Sequence, residues 1–260
     1  MNASQPTEDR KQPQQVLSLL CPTRGRPHLV QRLLESLLQT SAVPQRLELL
    51  LYVDADDTRL AEYRALVDAA QISAKKLGRF ELLVGEPKSV SKSWNDLAAM
   101  ARGDILLITN DDQVYASAGW DVRLDQEAAT FDDAFYCLWF NDGINGEKHC
   151  AFPIVSRRWV EALGYLTPGI FEFLANDTWL MDIGRRLNRL HYVGDVLVEH
   201  RHFTVGKAAA DETYLRHRTG DARDRRKRDM DLYERTAEIR ERDAQRLRML
   251  SATTGKKATP

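Results

Sequence analysis

Apolar residues along this chain fall into short runs separated by polar loops and by leucines at helical spacing. Val16-Leu17-Ser18-Leu19-Leu20-Cys21 is brief and almost wholly apolar, which suits a strand buried on both faces. The turn-forming Pro22-Thr23-Arg24-Gly25-Arg26-Pro27 follows. Leu29, Leu33, Leu34, Leu37 and Leu38 then recur at helical spacing, so one stripe of a helix should face a sheet. The unit repeats: 47–53 reads as a strand, 54–57 as a polar loop and 58–74 as a helix. A third strand is expected over 80–84, a helix over 91–101 and a fourth strand over 104–109. Strands alternating with helices predict a parallel sheet with right-handed crossovers. Ligands bind such sheets beyond the carboxyl ends of the strands, so the polar loops after strands one, two and four should share one edge.

After Ser117 the pattern changes. Residues 133–140 and 149–155 read as strands around the turn-rich 141–146, which predicts a hairpin. Ser156 is placed to cap a helix over 156–163. A Gly- and Pro-containing irregular segment over 164–173 should lead into a helix over 175–190, in which Trp179, Leu180, Ile183 and Leu187 keep helical spacing. A last strand over 191–199 ends in His200-Arg201-His202. From Ala208 charges of both signs dominate a helical stretch, expected to pack on the domain through Tyr214, Leu232, Tyr233, Ile239 and Leu247. The polar, Pro- and Gln-rich start has too little apolar surface to offset ordering entropy. The expected organisation is a flexible leader over 1–15, a domain over 16–207 with halves meeting at 116/117, a charged extension over 208–250 and a disordered tail over 251–260.

Composition narrows the class. A hydrophobic fraction of 43% with 29% charged residues fits a globular chain rather than a disordered one. No apolar run approaches the roughly 18 residues of a spanning helix, and the start lacks the apolar core of a signal peptide, so a cytoplasmic location is expected. The net charge of -1 argues against attraction of the whole protein to nucleic acid. The Arg-rich stretch from Arg223 to Arg228 nevertheless suggests a local contact with an anionic acceptor, a membrane surface or nucleic acid. Cys21, Cys137 and Cys150 are odd in number and lack metal-site spacing, so buried thiols are expected. Trp94, Trp120, Trp139 and Trp179 are read as core.

Candidate chemistry centres on Asn110-Asp111-Asp112, which closes the fourth apolar run. Acidic side chains at a strand end suit a divalent cation, because hard cations take oxygen ligands and bridge substrate phosphates. Turn geometry alone favours the same residue types. Arg24, Arg26, Lys88 and Lys92 are candidate phosphate partners, with Lys92 foremost because its helix borders the expected pocket. Asp56 and Asp57 could instead cap the helix that follows them.

Pro22 to Pro27 after strand one, Val53-Asp54-Ala55-Asp56-Asp57 after strand two, Ser93-Trp94-Asn95-Asp96-Leu97-Ala98 before strand four and Asn110-Asp111-Asp112 after it together resemble the nucleotide-binding half of glycosyltransferase family 2. Phe171-Glu172-Phe173-Leu174-Ala175-Asn176-Asp177 resembles that family's acidic acceptor motif. The resemblance covers roughly residues 16–203. It implies an α/β GT-A (Rossmann-like) fold with a mixed, mostly parallel sheet and flanking helices, followed here by the charged C-terminal helical extension. It also implies transfer of a sugar from a nucleotide-diphosphate sugar to an acceptor hydroxyl with inversion, assisted by Mn2+ or Mg2+. The acceptor could be a glycan, lipid, protein or modified nucleic acid.

By this resemblance Asp112 is the metal ligand, with His200 or His202 completing the coordination. Thr23, Asp54 and Asp56 meet the nucleoside, and Arg24, Arg26 and Lys92 the diphosphate. Asn110, where the family carries an acid, and Asp111 complete the nucleotide site. Asp177 is the expected general base and Glu172 its reserve. Two alternatives stand beside this reading: a nucleotidyltransferase on a similar fold, and a catalytically silent nucleotide-sugar-binding or assembly protein.

Overall fold

The computed structural model describes residues 15–208, 210–216 and 220–255. The expected leader, apart from Gln15, and the last five residues lie outside the described residues. Strands β1 (Leu17–Thr23), β2 (Leu47–Asp54), β3 (Arg79–Gly85) and β4 (Ile105–Ile108) alternate with helices α1 (Pro27–Thr40), α2 (Leu60–Ile72) and α3 (Val90–Met100). These four strands are mutually parallel in the order β3-β2-β1-β4, as the alternation requires. Successive residues of a strand face opposite sides of the sheet. Leu17, Leu19 and Cys21 of β1 therefore pack into one core with α1 and α2, while Leu20 joins the core on the other face with Trp94 and Leu97 of α3.

The second half adds β5 (Gln113–Tyr115), α4 (Trp120–Ala128), β6 (Cys137–Asn141), β7 (Ile154–Ser156), α5 (Arg157–Leu163), α6 (Asn176–Leu187) and β8 (Leu190–His200). The sheet continues β4-β7-β6-β8-β5, with β7 antiparallel to both neighbours, β8 parallel to β6 and β5 antiparallel to β8. β6 and β7 form the expected antiparallel pair, though each is shorter than the run that announced it. Ser156 caps α5 as anticipated, accepting the amide of Trp159. Strand β5 and helix α4 are additions to the sequence reading. β5 is too short to show a period, and α4 owes its place to Asp121, a fully buried carboxylate that accepts the amides of Ala42 and Val43 at 2.8 and 3.0 Å.

Ordering of β4 begins at a buried polar knot. Ser18 donates to Oε2 of Glu48 at 2.6 Å, and the amides of Arg102 and Gly103 donate to the same oxygen at 2.7 and 3.2 Å. Gly103 is required by close approach: a Cβ there would meet Oγ of Ser18 at 2.3 Å and the Val16 carbonyl oxygen at 2.8 Å.

The charged extension forms α7 (Glu212–Arg216), α8 (Ala222–Arg235) and α9 (Ala237–Gly255). α9 continues through Gly255, into the segment expected to lack order. It docks on α5 and α6, burying Ala244 and Leu247 completely. Arg240 of α9 donates to Asp182 of α6 at 2.6 Å and lies over the rings of Tyr233 and Trp179 at 3.8 and 5.1 Å. Leu232, Tyr233 and Ile239 pack against the same core, as their spacing implied. All three cysteines are buried free thiols. Trp94, Trp120, Trp139 and Trp179 are buried as expected. Among the described residues no helix is long and apolar enough to cross a membrane.

Candidate functional site

A cavity of about 520 Å³ opens at the carboxyl edge of the parallel strands, within the size range of small-molecule sites. The turn after β1 contributes Pro22, Thr23, Arg24 and Arg26. β2 contributes Tyr52 and Asp54, and the approach to α3 contributes Lys88, Ser89, Val90 and Ser93. Asn110, Asp111 and Asp112 follow β4, while His200 and His202 close β8. Glu172 and Phe173 come from the loop before α6. Thr213, Tyr214 and Arg216 of α7 with Arg225 and Arg226 of α8 complete the wall.

A chain of hydrogen bonds fixes the floor. The amide of Arg26 donates to the Tyr63 hydroxyl at 2.7 Å, which stands 3.0 Å from Oγ1 of Thr23, and Thr23 donates to Oδ2 of Asp111 at 2.6 Å. Thr23 has one hydroxyl proton and gives it to Asp111, so Tyr63 is the donor between the two. The Arg26 guanidinium reaches Oδ1 of Asp111 at 3.2 Å and grips the Asp211 carboxylate with two bonds, at 2.7 and 2.6 Å. That fork is the geometry in which arginine also takes a phosphate. Arg24 spans Asp54, at 2.6 Å, and Asp56.

Asp111 and Asp112 are adjacent and both buried, and their environments separate them. Burial pushes the Asp111 carboxyl up, to about 6, against the pull of Arg26 and with a push from Asp112. Burial opposes ionisation of Asp112 too, but hydrogen bonding and charge from His200, the Tyr214 hydroxyl and Arg26 outweigh it and hold that carboxyl below its usual range. Oδ2 of Asp112 accepts the Tyr214 hydroxyl at 2.7 Å and lies 3.3 Å from Nε2 of His200. Oδ1 of Asp112 and Nδ1 of His200 are buried with no hydrogen-bond partner among the described residues. An unpartnered buried carboxylate oxygen carries a desolvation cost, and a cation would relieve it. Among the described residues, however, no three His, Cys, Asp or Glu side chains converge closely enough to hold an ion unaided. Asp112 is thus the residue that would hold a hard divalent cation here, and such an ion would supply positive charge beside a substrate phosphate. Asp112, His200 and His202, the expected ligand set, all line the cavity; Nδ1 of His202 pairs with Oγ1 of Thr204 at 2.7 Å.

Eleven of the expected residues thus meet at one cavity: Thr23, Arg24, Arg26, Asp54, Lys88, Asn110, Asp111, Asp112, Glu172, His200 and His202. Three do not line it. Lys92 is exposed on α3, because Val90 and Ser93, one helical turn apart, present the cavity face and Lys92 falls off it. Lys88, just before the helix, takes the place at the wall and pairs with Asp96. Asp56 is exposed and acts through Arg24. Asp177 lies in the first turn of α6, where Oδ2 sits 2.8 Å from Nε2 of His149. Asp57 is not the cap residue of α2; it is buried and accepts the amides of Gly25 and Arg59 at 2.7 and 2.8 Å, tying two loops together.

Several residues of these hydrogen-bond networks escaped the sequence reading. Tyr214 was assigned to packing on the domain core, yet it joins Asp112, and its ring lies 4.0 Å from the Arg26 guanidinium. Tyr63 was read only as part of a helix. His149 and Asp211 carried no signal beyond their residue type.

No protein-family model and no curated protein matches the chain by sequence. Solved structures do match in fold. The mannosyltransferase PcManGT from Pyrobaculum calidifontis, solved with GDP-Man and Mn2+, superposes with a TM-score of 0.62 at 14% identity, over 95% of this chain and 77% of that one. S. aureus TarS 1-349 with UDP-GlcNAc gives 0.54 at 16% identity, over 77% of this chain and 64% of that one. TarS 1-349 without a named ligand gives 0.53 at 16% identity, over 70% and 59%. The chain spans less than two thirds of either TarS chain. The protein has the GT-A fold of these glycosyltransferases: a mixed, mostly parallel sheet with flanking helices.

Proposed function

We propose that this protein is a glycosyltransferase that moves a sugar from a nucleotide-diphosphate sugar to an acceptor hydroxyl with inversion. The observation that carries the reading is the unpartnered Oδ1 of buried Asp112, set in one cavity with Arg24, Arg26 and Asp54. Likeness to a mannosyltransferase solved with GDP-Man and Mn2+ and to TarS solved with UDP-GlcNAc supports the same class of donor. Asp54 and Thr23 take the nucleoside, and Arg24 and Arg26 the diphosphate. Asp112 holds the cation, with His200 beside it. A bound Mn2+ or Mg2+ supplies charge neutralisation on the departing diphosphate.

Inversion requires the acceptor oxygen to attack from the face opposite the leaving group while a carboxylate takes its proton. Glu172 lines the cavity and is the base in this arrangement. Asp177 is the second reading, favoured by its contact with His149, since a carboxylate and imidazole in hydrogen-bond contact form a proton-accepting pair.

Thermal denaturation with UDP or GDP, with and without Mn2+, tests the donor assignment. A ligand that binds only the folded state raises its stability by mass action. A nucleoside diphosphate should raise Tm more with Mn2+ than without, and Asp112→Ala should lose the metal-dependent part. No rise with any nucleoside diphosphate, in a folded sample, overturns the reading. Metal-dependent binding without turnover of any nucleotide sugar would point to the silent binding protein instead. Glu172→Gln and Asp177→Asn decide the base: the variant that loses turnover while keeping nucleotide binding identifies it.

A further inference from the structure

We infer that α7 is an autoinhibitory plug: Asp211 and Tyr214 hold Arg26 and Asp112 in place of the donor's diphosphate and its cation, and a donor must displace them to bind. The inference rests on the donor reading above and adds how that site is controlled.

Arg26 is 5% exposed and Asp112 3%, so neither offers much surface to a ligand while α7 is docked. Nε and Nη2 of Arg26 donate to the two carboxylate oxygens of Asp211 at 2.7 and 2.6 Å. A carboxylate and a phosphate present the same pair of oxygens to an arginine fork, and one edge of the fork cannot serve both. The Tyr214 ring lies 4.0 Å from the same guanidinium and covers its face. At Asp112 the Tyr214 hydroxyl donates to Oδ2 at 2.7 Å, while Oδ1 has no hydrogen-bond partner among the described residues. A hydroxyl on Oδ2 takes an oxygen that a hard cation would use. One helix of five residues, with the aspartate just before it, thus acts on both groups.

The docking of α7 is of a kind that a ligand can undo. Among the described residues neither apolar core includes a side chain of α7, whereas α9 sinks Ala244 and Leu247 completely. Tyr214 is the buried residue of α7 and packs against the rings of His202 and Phe203, with centroids 4.8 and 4.6 Å away. Its neighbour Leu215 is 50% exposed. Thr213 donates to the Arg24 backbone oxygen at 2.9 Å, and Arg225 to that of Arg216 at 3.1 Å. Oδ1 of Asp211 accepts both Nη2 of Arg26 and the Tyr214 amide, the latter at 3.0 Å. The grip on Arg26 and the first turn of α7 therefore share one oxygen. A nucleoside diphosphate with its cation addresses Arg26 and Asp112 together and carries more charge than the single carboxylate it replaces. Its apparent affinity is reduced by the fraction of molecules in which α7 is undocked, so the plug sets the concentration at which the site fills.

Calorimetry on the full chain tests this with UDP and GDP, each with Mn2+, and with inorganic pyrophosphate alone. Asp211→Asn keeps a side chain able to cap α7 but loses the charge that holds Arg26, and it should bind all three probes about tenfold more tightly. Thr213→Val removes only the bond to the Arg24 backbone oxygen and should tighten binding in the same direction. In the wild-type protein, hydrogen exchange at the Tyr214 and Leu215 amides should quicken when UDP or GDP binds with Mn2+. Nucleotide binding that is unchanged or weaker in both variants overturns the plug and leaves the donor reading standing, since α7 would then build the site rather than block it. Slower exchange at those two amides on nucleotide binding also overturns it, by showing that α7 closes over the donor. If no nucleotide binds any of the three proteins, the donor reading fails and pyrophosphate decides the plug: tighter binding in both variants upholds it, and equal or absent binding overturns it.

Discussion

The hydroxyl of Tyr214 donates to Oδ2 of Asp112 at 2.7 Å across 102 residues of sequence. The C-terminal extension therefore reaches the carboxylate on which metal binding is proposed to depend. Asp211 and Thr213 reinforce the contact, the first gripping Arg26 and the second donating to the Arg24 carbonyl oxygen at 2.9 Å. Tyr214→Phe removes one donor from a buried carboxylate, and the ligand-free protein should lose about 1–3 kcal/mol. It also uncovers an oxygen that a cation could use, so the Mn2+-dependent rise in Tm with nucleotide should grow. Matched melting curves of the two proteins, with and without Mn2+ and nucleotide, check both effects; an unchanged metal increment would mean that the hydroxyl does not compete.

Asp229 serves three amides of the loop before α6. Asp229→Asn keeps the shape but replaces a charged acceptor by a neutral one, and bonds to charged groups are the stronger kind. A loss of about 2 kcal/mol is expected in urea unfolding. Hydrogen exchange should quicken at Glu172, Phe173 and Leu174 while the amides of β1 and β2 stay protected. Uniform acceleration across the sheet would show that the clamp is not local.

Gly103 stands where a methyl group has no room, with Oγ of Ser18 at 2.3 Å and backbone oxygen of Val16 at 2.8 Å from the added carbon. Overpacking of this kind costs about 1–3 kcal/mol, and Gly103→Ala should lower the urea midpoint accordingly. Because β4 carries Asp111 and Asp112 to the cavity, the same variant should weaken nucleotide binding, read by calorimetry below the melting temperature. Gly103→Ala/Ser18→Ala removes the nearer clash and should recover part of the stability.

His149 provides a pH-dependent contribution. Its hydrogen bond with Asp177, opposed by partial burial and helped by the charges of Asp177 and Asp142, raises its pKa above the ordinary histidine value. A folded-state value raised above the unfolded one stabilises the fold fully below the unfolded pKa, and that stability fades as pH rises through the folded one. His149→Gln should therefore lower Tm more at pH 5.5 than at pH 8.5. Both partners are about one third exposed, so solvent screening keeps the difference small. A variant deficit that is constant across this range would remove the protonated pair from the account.

Much of this protein was legible in its sequence. The short apolar runs at 16–21, 47–53 and 104–109 set strands buried on both faces, and the leucine stripe of α1 set a helix against them, because burial imposes its period on nearby residues. That alternation placed Thr23, Asp54 and the Asn110-Asp111-Asp112 turn at one sheet edge. Where the helix begins was already a finer matter: Lys88, just before α3, lines the cavity, and Lys92, within α3, does not.

Other relationships depended on tertiary structure alone. Antiparallel pairing of Gln113 with His200 brings the end of β8 beside Asp112, though β5 is too short to announce itself. The run rich in arginine read as a charged helix, and only its packing, fixed by buried Asp229, turned Arg225 and Arg226 into a cavity wall. Tyr214, His149 and Asp211 have no neighbour in sequence that marks them. Local patterning determines which residues must be buried and in what element, since that cost is met within a few residues. Register, helix orientation and long-range partners are chosen by the packing of the whole chain, and they decided which side chains meet at Asp112.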